Sequence, residues 1–424
     1  MRSILIAAAA MVCAGLPASA QEDAPAAPGA PAAQFDLPDG AAKQTIETMC
    51  VGCHDLRRVV HSNYSPQEWR NVVNMMVSAG TPLTPPQKEM VTDYLIKNFP
   101  GKPKPAPAIV AGPVQVSFKE WQLPTPGSRP HDPLATPDGA IWYTGQMANK
   151  LGRLDPATGA IKEYPIKTPF SGAHGLTYDH DGNIWFAANF AGYVGKLDPK
   201  TGDIAEYKMP DPAARDPHTP LFDKDGILWF TLQNANMVGR LDPKTGDIRL
   251  VTMPTPRSQP YGMVFTSDGD TIFFDMFGTN KIASIERRTM AIKEYPLPDS
   301  GSRPRRIAIT SDDIIWYGDY SRGRLGRLDP KTGKVTEYPS PGGPRTQPYA
   351  ITALHDVIWY VESGLQPNAL VRFDPKTERF QTWVIPSGGG VVRNMMPTPD
   401  GHHLALACSA VNGIALVEIN DGAM

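Results

Sequence analysis

The chain has 424 residues, with 41 Lys and Arg against 43 Asp and Glu, for a formal net charge of −2. So even a balance argues against a nucleic-acid partner or an anionic membrane surface. The 44 prolines and 38 glycines, about 19% of the residues, exclude a protein built mainly from long helices, because proline removes a donor and breaks helical turns. Four cysteines are too few for a disulfide scaffold.

Residues 1–20 read as a secretory signal. Arg2 supplies the positive start, Ile4 to Leu16 an apolar stretch, and Ala18-Ser19-Ala20 a cleavage site. The apolar stretch is too short to span a bilayer. Cleavage after Ala20 predicts export to the periplasm and a mature chain without a transmembrane segment. Cys13 leaves with the signal. Residues 21–38, rich in Ala and Pro, predict a solvated tether, and a second Pro-rich linker at 101–115 marks a boundary. Two domains are expected: a small all-α unit at 39–100 and a repetitive all-β unit at 116–421.

In the small unit, Cys50-Val51-Gly52-Cys53-His54 carries the chemistry. Two thiols separated by two residues can add to the vinyl groups of one haem, and the adjoining histidine then reaches the iron. A thioredoxin-like site would need β-α-β patterning, and a zinc site a second ligand pair, whereas the next cysteine is Cys408. One covalent haem c is therefore expected on Cys50 and Cys53, with His54 as an axial ligand.

A sixth ligand is expected downstream. Trp69, Val72, Val73 and Met76 share one face of a helix capped by Ser65 or Asn63 and ended by Gly80. Met76 lies on that apolar face and Met75 about 100° away; both can also be core methionines. His61 is a weaker rival, in a predicted loop. The stretches EWRNVVNMMVSAG and KEMVTDYLIKNFP resemble small class I c-type cytochromes over about residues 40–100. That resemblance implies His/Met ligation and electron transfer with a periplasmic donor or acceptor protein.

From residue 118 the chain repeats. Asp-Pro-x-Thr-Gly turns begin at Asp155, Asp198, Asp242 and Asp329, with degenerate copies at Glu286 and Asp374, at intervals of 43 to 45 residues. Each turn joins two short strands through a positive-φ glycine. A second landmark, His131, His174, His218, Tyr261, Arg305, Tyr349 and Arg393, recurs every 43 or 44 residues. Seven landmarks predict a seven-bladed propeller. FKEWQLPTPGSRP at 118–130 matches IKEYPLPDSGSRP at 292–304, so the N-terminal strand is expected to complete the last blade and remove free edges.

GAHGLTYDHDGNIWFAANFAGYVGKLDPKTGDIAEYKMP resembles the repeats of the virginiamycin B (streptogramin B) lyases, a likeness that spans about 118–420. It implies carbon–oxygen elimination by a Mg²⁺ and a histidine base at the landmark positions of the last two blades, with an acid before the final histidine and another after the last W-F strand. Here those places hold Tyr349, Arg393, Val391 and about Ser409. None of these binds the metal or takes the proton as the family's residues do.

The landmarks begin the innermost strands and are expected to ring one mouth of the channel. His131, His174 and His218 come from consecutive blades and suit a second metal, Cu, Zn or Fe, with Asp132 and Asp216 as acceptors behind them. The bland alternative is a wet mouth that holds no ligand. Asp319, Glu362, Arg305, Arg306 and Arg393 suggest a polar pocket for a small-molecule substrate, or equally a solvated ring of ion pairs. Three functions follow: a haem electron-transfer protein whose propeller holds a substrate, metal or partner; a lyase with an appended haem domain; or a non-catalytic docking module for the cytochrome.

Overall fold

The computed structural model describes residues 37–50, 56, 59, 64–78, 81–101 and 103–420. The expected signal sequence, most of the expected tether, Cys53, His54, His61, Asn63 and Gly80 lie outside the described residues. No helix among the described residues is long and apolar enough to cross a membrane.

Three helices are described before residue 100: α1 (Lys43–Met49), α2 (Pro66–Ser78) and α3 (Pro85–Asn98). Local chemistry starts two of them. The Ser65 hydroxyl accepts from the Glu68 amide at 3.3 Å while the Glu68 carboxylate accepts from the Ser65 amide at 2.7 Å, which is the expected cap. Thr84 and Gln87 repeat the arrangement ahead of α3, where Pro85 takes the first helical position. Trp69 and Val73 on α2 are buried with Ala42 and Ile46 around α1 and Val91, Tyr94 and Leu95 on α3. The Trp69 indole donates to the Phe99 carbonyl at 2.7 Å, closing the unit around its largest ring.

The rest of the described chain forms seven four-stranded antiparallel sheets, one per landmark. Blades 1 to 6 take residues 130–165, 173–208, 217–252, 260–296, 304–339 and 348–384. Blade 7 joins Val392–Pro397, His403–Cys408 and Gly413–Asn420 to the N-terminal strand Gln115–Gln122, as the sequence match predicts. The glycine of the L-G-R-L third strand has a packing role: a Cβ on Gly152 would fall 2.0 Å from the ring of Tyr143, so only glycine lets that ring lie flat on its neighbour. Trp185 and Trp229 pack against the next blade, with Leu228 and Phe230 and with Ile272 and Phe274 respectively, and donate to Asp179 at 2.8 Å and Asp223 at 2.9 Å, which pins the turn ahead of each second strand. Cys408 is a buried strand residue, as expected.

The 101–115 linker departs from the solvated tether that its composition predicts. Val110 donates to the Thr382 hydroxyl at 2.8 Å, Thr382 returns its amide to the Val110 carbonyl at 3.0 Å, and Gln366 donates to the Pro105 carbonyl at 3.0 Å. The outer strand of blade 6 (Arg379–Val384) presents an unpaired edge, and the linker covers it.

Candidate functional site

Every innermost strand carries an irregularity at its landmark. In blade 1 the pairing steps from Pro130 opposite Gly145 to Pro133 opposite Tyr143, so His131 and Asp132 share the space beside Thr144. The same two-against-one step recurs in the other six blades. A bulge re-aims a side chain and increases local twist, and here it directs the seven landmarks towards the channel.

The expected convergence of the three histidines is present. Ring centroids are 3.5 Å apart for His131 and His174 and 3.7 Å for His174 and His218, and Tyr261 continues the stack 3.9 Å from His218. Their exposures are 2%, 4% and 1% for the three histidines. The wet mouth of the sequence reading is therefore corrected to a packed one, because each bulge brings its side chain against the next blade's.

Two further expectations also need correction. Asp132 does stand behind His131, with Oδ1 2.8 Å from Nδ1, but Asp216 accepts from the Asn234 and Ala235 amides at 2.6 and 3.1 Å and orders a loop. His218 Nδ1 instead meets the Thr219 hydroxyl at 2.9 Å. Nor do Asp319 and Glu362 join the arginines in one pocket. Asp319 pairs with Arg322 at 3.1 Å, and Glu362 accepts from Gly342 at 3.0 Å.

Sequence reasoning placed Arg306 only loosely. Its φ of 59° is a conformation that side chains rarely adopt, at the place where blades 2 and 4 carry Gly175 and Gly262. The guanidinium crosses the channel to Asp132 Oδ1 at 2.6 Å and to the Arg393 carbonyl at 2.9 Å, while Asn394 donates to Asp132 Oδ2 at 2.9 Å. Burial pushes the Asp132 carboxyl up, and Arg306 and Asn394 oppose that. His131 and His174 are held well below the ordinary imidazole range, first by burial, then by each one's histidine neighbour and by Arg306, Arg393 and Arg129. Both imidazoles are neutral at physiological pH and keep a lone pair for an ion.

The other half of the ring is different. The Arg305 guanidinium lies 3.8 Å over the Tyr349 ring and 4.6 Å over Phe277 and Tyr320. The Tyr349 and Tyr261 hydroxyls are 2.5 Å apart. Ser409 donates to the Pro130 carbonyl at 2.5 Å. These contacts occupy the positions at which the lyase resemblance expects catalytic histidines and acids. A surface cavity of about 400 Å³ lies elsewhere, between the turns of blades 4 and 5 around Glu286, Lys293, Asp312 and Asp329.

Helix α2 meets the propeller on this same mouth. Asn71 donates to the Ala410 carbonyl, and a Cβ on Gly127, whose φ is +72°, would fall 2.5 Å from the Met75 amide nitrogen. Asn71 and Met75 lie on the opposite face of α2 from Trp69, Val73 and Met76. Bonds run from Asn71 through Ala410 and Ser409 to Pro130, the residue before His131.

Residues 109–283 match the Virginiamycin B lyase family. A streptogramin B lyase structure aligns over 72% of this chain and 98% of its own length, at 29% identity and a TM-score of 0.65. A catalytically inactive virginiamycin B lyase from Staphylococcus aureus, with quinupristin, aligns over 72% and 99% at 25% identity and 0.65. Hydrazine synthase from Kuenenia stuttgartiensis, at 14% identity over 69% and 96% with a TM-score of 0.58, shares the fold alone. No curated protein matches the sequence. The family match ends inside blade 4, ahead of the blades that carry Tyr349 and Arg393. Residues 109–283 thus match the Virginiamycin B lyase family model, within a seven-bladed propeller built like that of streptogramin B lyase.

Proposed function

We propose that this is an exported electron-transfer protein, in which a covalent haem c unit is seated on the mouth of a lyase-like propeller. The observation that carries the reading is the double-faced helix α2, with Trp69 and Val73 turned to the helical core and its Asn71 and Met75 face on the mouth loops. The described residues fit the group. Cys50 directly follows α1, donating its amide to the Ile46 carbonyl at 3.0 Å, and its side chain packs at the edge of the helical core. Met76 is only partly buried and continues the Trp69–Val73 stripe by helical spacing, so its thioether is free of the packed core. Cys50 and Cys53 would hold the haem and His54 and Met76 its iron; when bound, it supplies reversible one-electron chemistry.

The chain's own residues orient the unit. Glu68 caps α2 and meets Lys104 of the linker at 3.2 Å, and Asn71 anchors the helix to blade 7. The same helix that carries Met76 thus touches the mouth loops through Asn71 and Met75, and a haem held by this unit would supply electrons to a substrate or partner docked there. Export with the haem-attachment machinery should yield one covalent haem per chain by pyridine haemochrome. Cys50→Ala with Cys53→Ala should abolish it. Met76→Ala should remove the methionine–iron charge-transfer band; an unchanged spectrum would show that Met76 is not the ligand.

A carbon–oxygen lyase is the second reading, favoured by the family match of residues 109–283. Tyr349, Arg393, Val391 and Ser409 stand against it, since none replaces a metal-binding carboxylate or a histidine base. Linearisation of a streptogramin B by the Cys50→Ala, Cys53→Ala protein would restore that reading. A propeller that only docks the cytochrome is the third, and haem-dependent turnover of any substrate would exclude it.

A further inference from the structure

We propose that His131 and His174 bind a late first-row transition-metal ion, copper in its cuprous state above all, at the mouth of the channel. The site lies apart from the metal position of the resembled lyases, which falls in the last two blades, and it stands whether or not the haem unit is loaded. One ligand atom from each of His131, Asp132 and His174 lies within 4.8 Å of the other two, the one such group among the described residues. His174 is 96% buried by its 4% exposure, yet its Nδ1 has no hydrogen-bond partner. An unmet nitrogen costs free energy unless something binds it. His131 Nδ1 is engaged by Asp132 at 2.8 Å, which leaves Nε2 as the nitrogen for an ion, the usual role of a carboxylate behind a ligating histidine.

The choice of ion follows from charge and donor type. Two neutral imidazoles suit copper or zinc, whereas Mg²⁺ and Ca²⁺ need oxygen-rich cages. Only one carboxylate is present, and it is shared with Arg306 and Asn394. Arg129, Arg306 and Arg393 all bear on the histidines, and their repulsion scales with the charge of the ion. A monocation with few ligands is penalised least. His218 stacks on His174 but lies outside the group, so it walls the site without ligating.

The test uses the full exported chain. Cu(I), Zn(II) and Mg(II) are each titrated against a chromophoric competitor, with haem iron counted separately. About one equivalent of Cu(I) is expected, with Zn(II) at least tenfold weaker and Mg(II) not retained. His131→Gln and His174→Gln should each weaken Cu(I) at least tenfold, and His218→Gln less than threefold. Nitrogen coupling from two imidazoles in the oxidised, copper-loaded wild type gives a readout that needs no variant. Binding of less than 0.2 equivalent of Cu(I), Zn(II) as tight as Cu(I), or binding unchanged in His174→Gln would each overturn the proposal.

Discussion

Asp275 offers a test of how the blades are fastened together. In blades 1 and 3 a threonine stands at this point of the second strand. Thr144 accepts from the Asp132 amide at 3.0 Å and donates to the His174 carbonyl of the next blade at 2.7 Å. Thr231 does the same between Thr219 and Tyr261, at 3.3 and 2.7 Å. Blade 4 has Asp275 instead, fully buried, with Oδ1 accepting from Gly262 at 2.8 Å and Oδ2 unpartnered. Burial pushes its carboxyl up to about 8, opposed by the Gly262 amide and by Arg306. A neutral acid, like a hydroxyl, has one donor and one acceptor, so at neutral pH Asp275 can do threonine's work. The sign of the pH dependence follows. Between pH 4 and 8 the folded chain holds a proton that the unfolded chain has released, so this residue's contribution falls as pH rises and is level above 8. At 1.36 kcal/mol per pH unit, the loss is on the order of 5 kcal/mol. Asp275→Thr should remove this slope. Denaturant unfolding followed by tryptophan fluorescence at pH 5, 7 and 9 should show the variant gaining several kcal/mol on the wild type as pH rises. The protonated-carboxyl infrared band should disappear with it. A stability difference that stays constant from pH 5 to 9 would refute the neutral clamp.

Arg306→Met leaves Asp132 buried with two partners instead of three, and should lower propeller stability by about 3–5 kcal/mol; adding Asp132→Asn should recover part of that, read as a coupling energy in a double-mutant cycle. Gly127→Val places a side chain into the α2 backbone at a positive φ, so it should release the helical unit from the mouth. Faster proteolysis of the 101–115 linker, with an unchanged propeller transition, would report that release. Removal of residues 103–122 should expose two sheet edges, in blades 6 and 7, and increase aggregation over the intact chain by light scattering.

Repetition made the architecture legible. A turn every 43 to 45 residues and a landmark every 43 or 44 give the blade count, and the likeness of 118–130 to 292–304 gives the closing strand. The linker was not legible, because its partners, Thr382 and Gln366, lie more than 250 residues away and composition reports nothing about them. The convergence of His131, His174 and His218 followed from the same spacing. Their packing did not, since the spacing locates a residue on a strand but a bulge decides where it points. Arg306 was legible only as one of several charges near the mouth: the equivalent position in blades 2 and 4 is glycine, and its φ and its reach to Asp132 across the channel are what tie it to the histidines.

The mouth divides into two chemically unlike halves, and that division bears on function more than any single residue does. From blade 1 to blade 4 the ring is a stack of three imidazoles and a phenol, with one carboxylate behind it. From blade 5 to blade 7 it is guanidinium on tyrosine, with Arg305 enclosed by Tyr261, Phe277, Tyr320 and Tyr349. A cation packed among four rings holds them in place, and it also repels a second cation. A dication at blades 6 and 7 would meet Arg305 and Arg393 where the resembled lyases place their metal and base. At the places where that family has its histidines and acids, this half presents Tyr349, Arg393, Val391 and Ser409, none of which is a carboxylate ligand or an imidazole base. Whatever the propeller does at its mouth, the donors suited to it lie on blades 1 and 2, on the side where α2 rests against Gly127 and where the bonds through Ser409 and Pro130 end at His131.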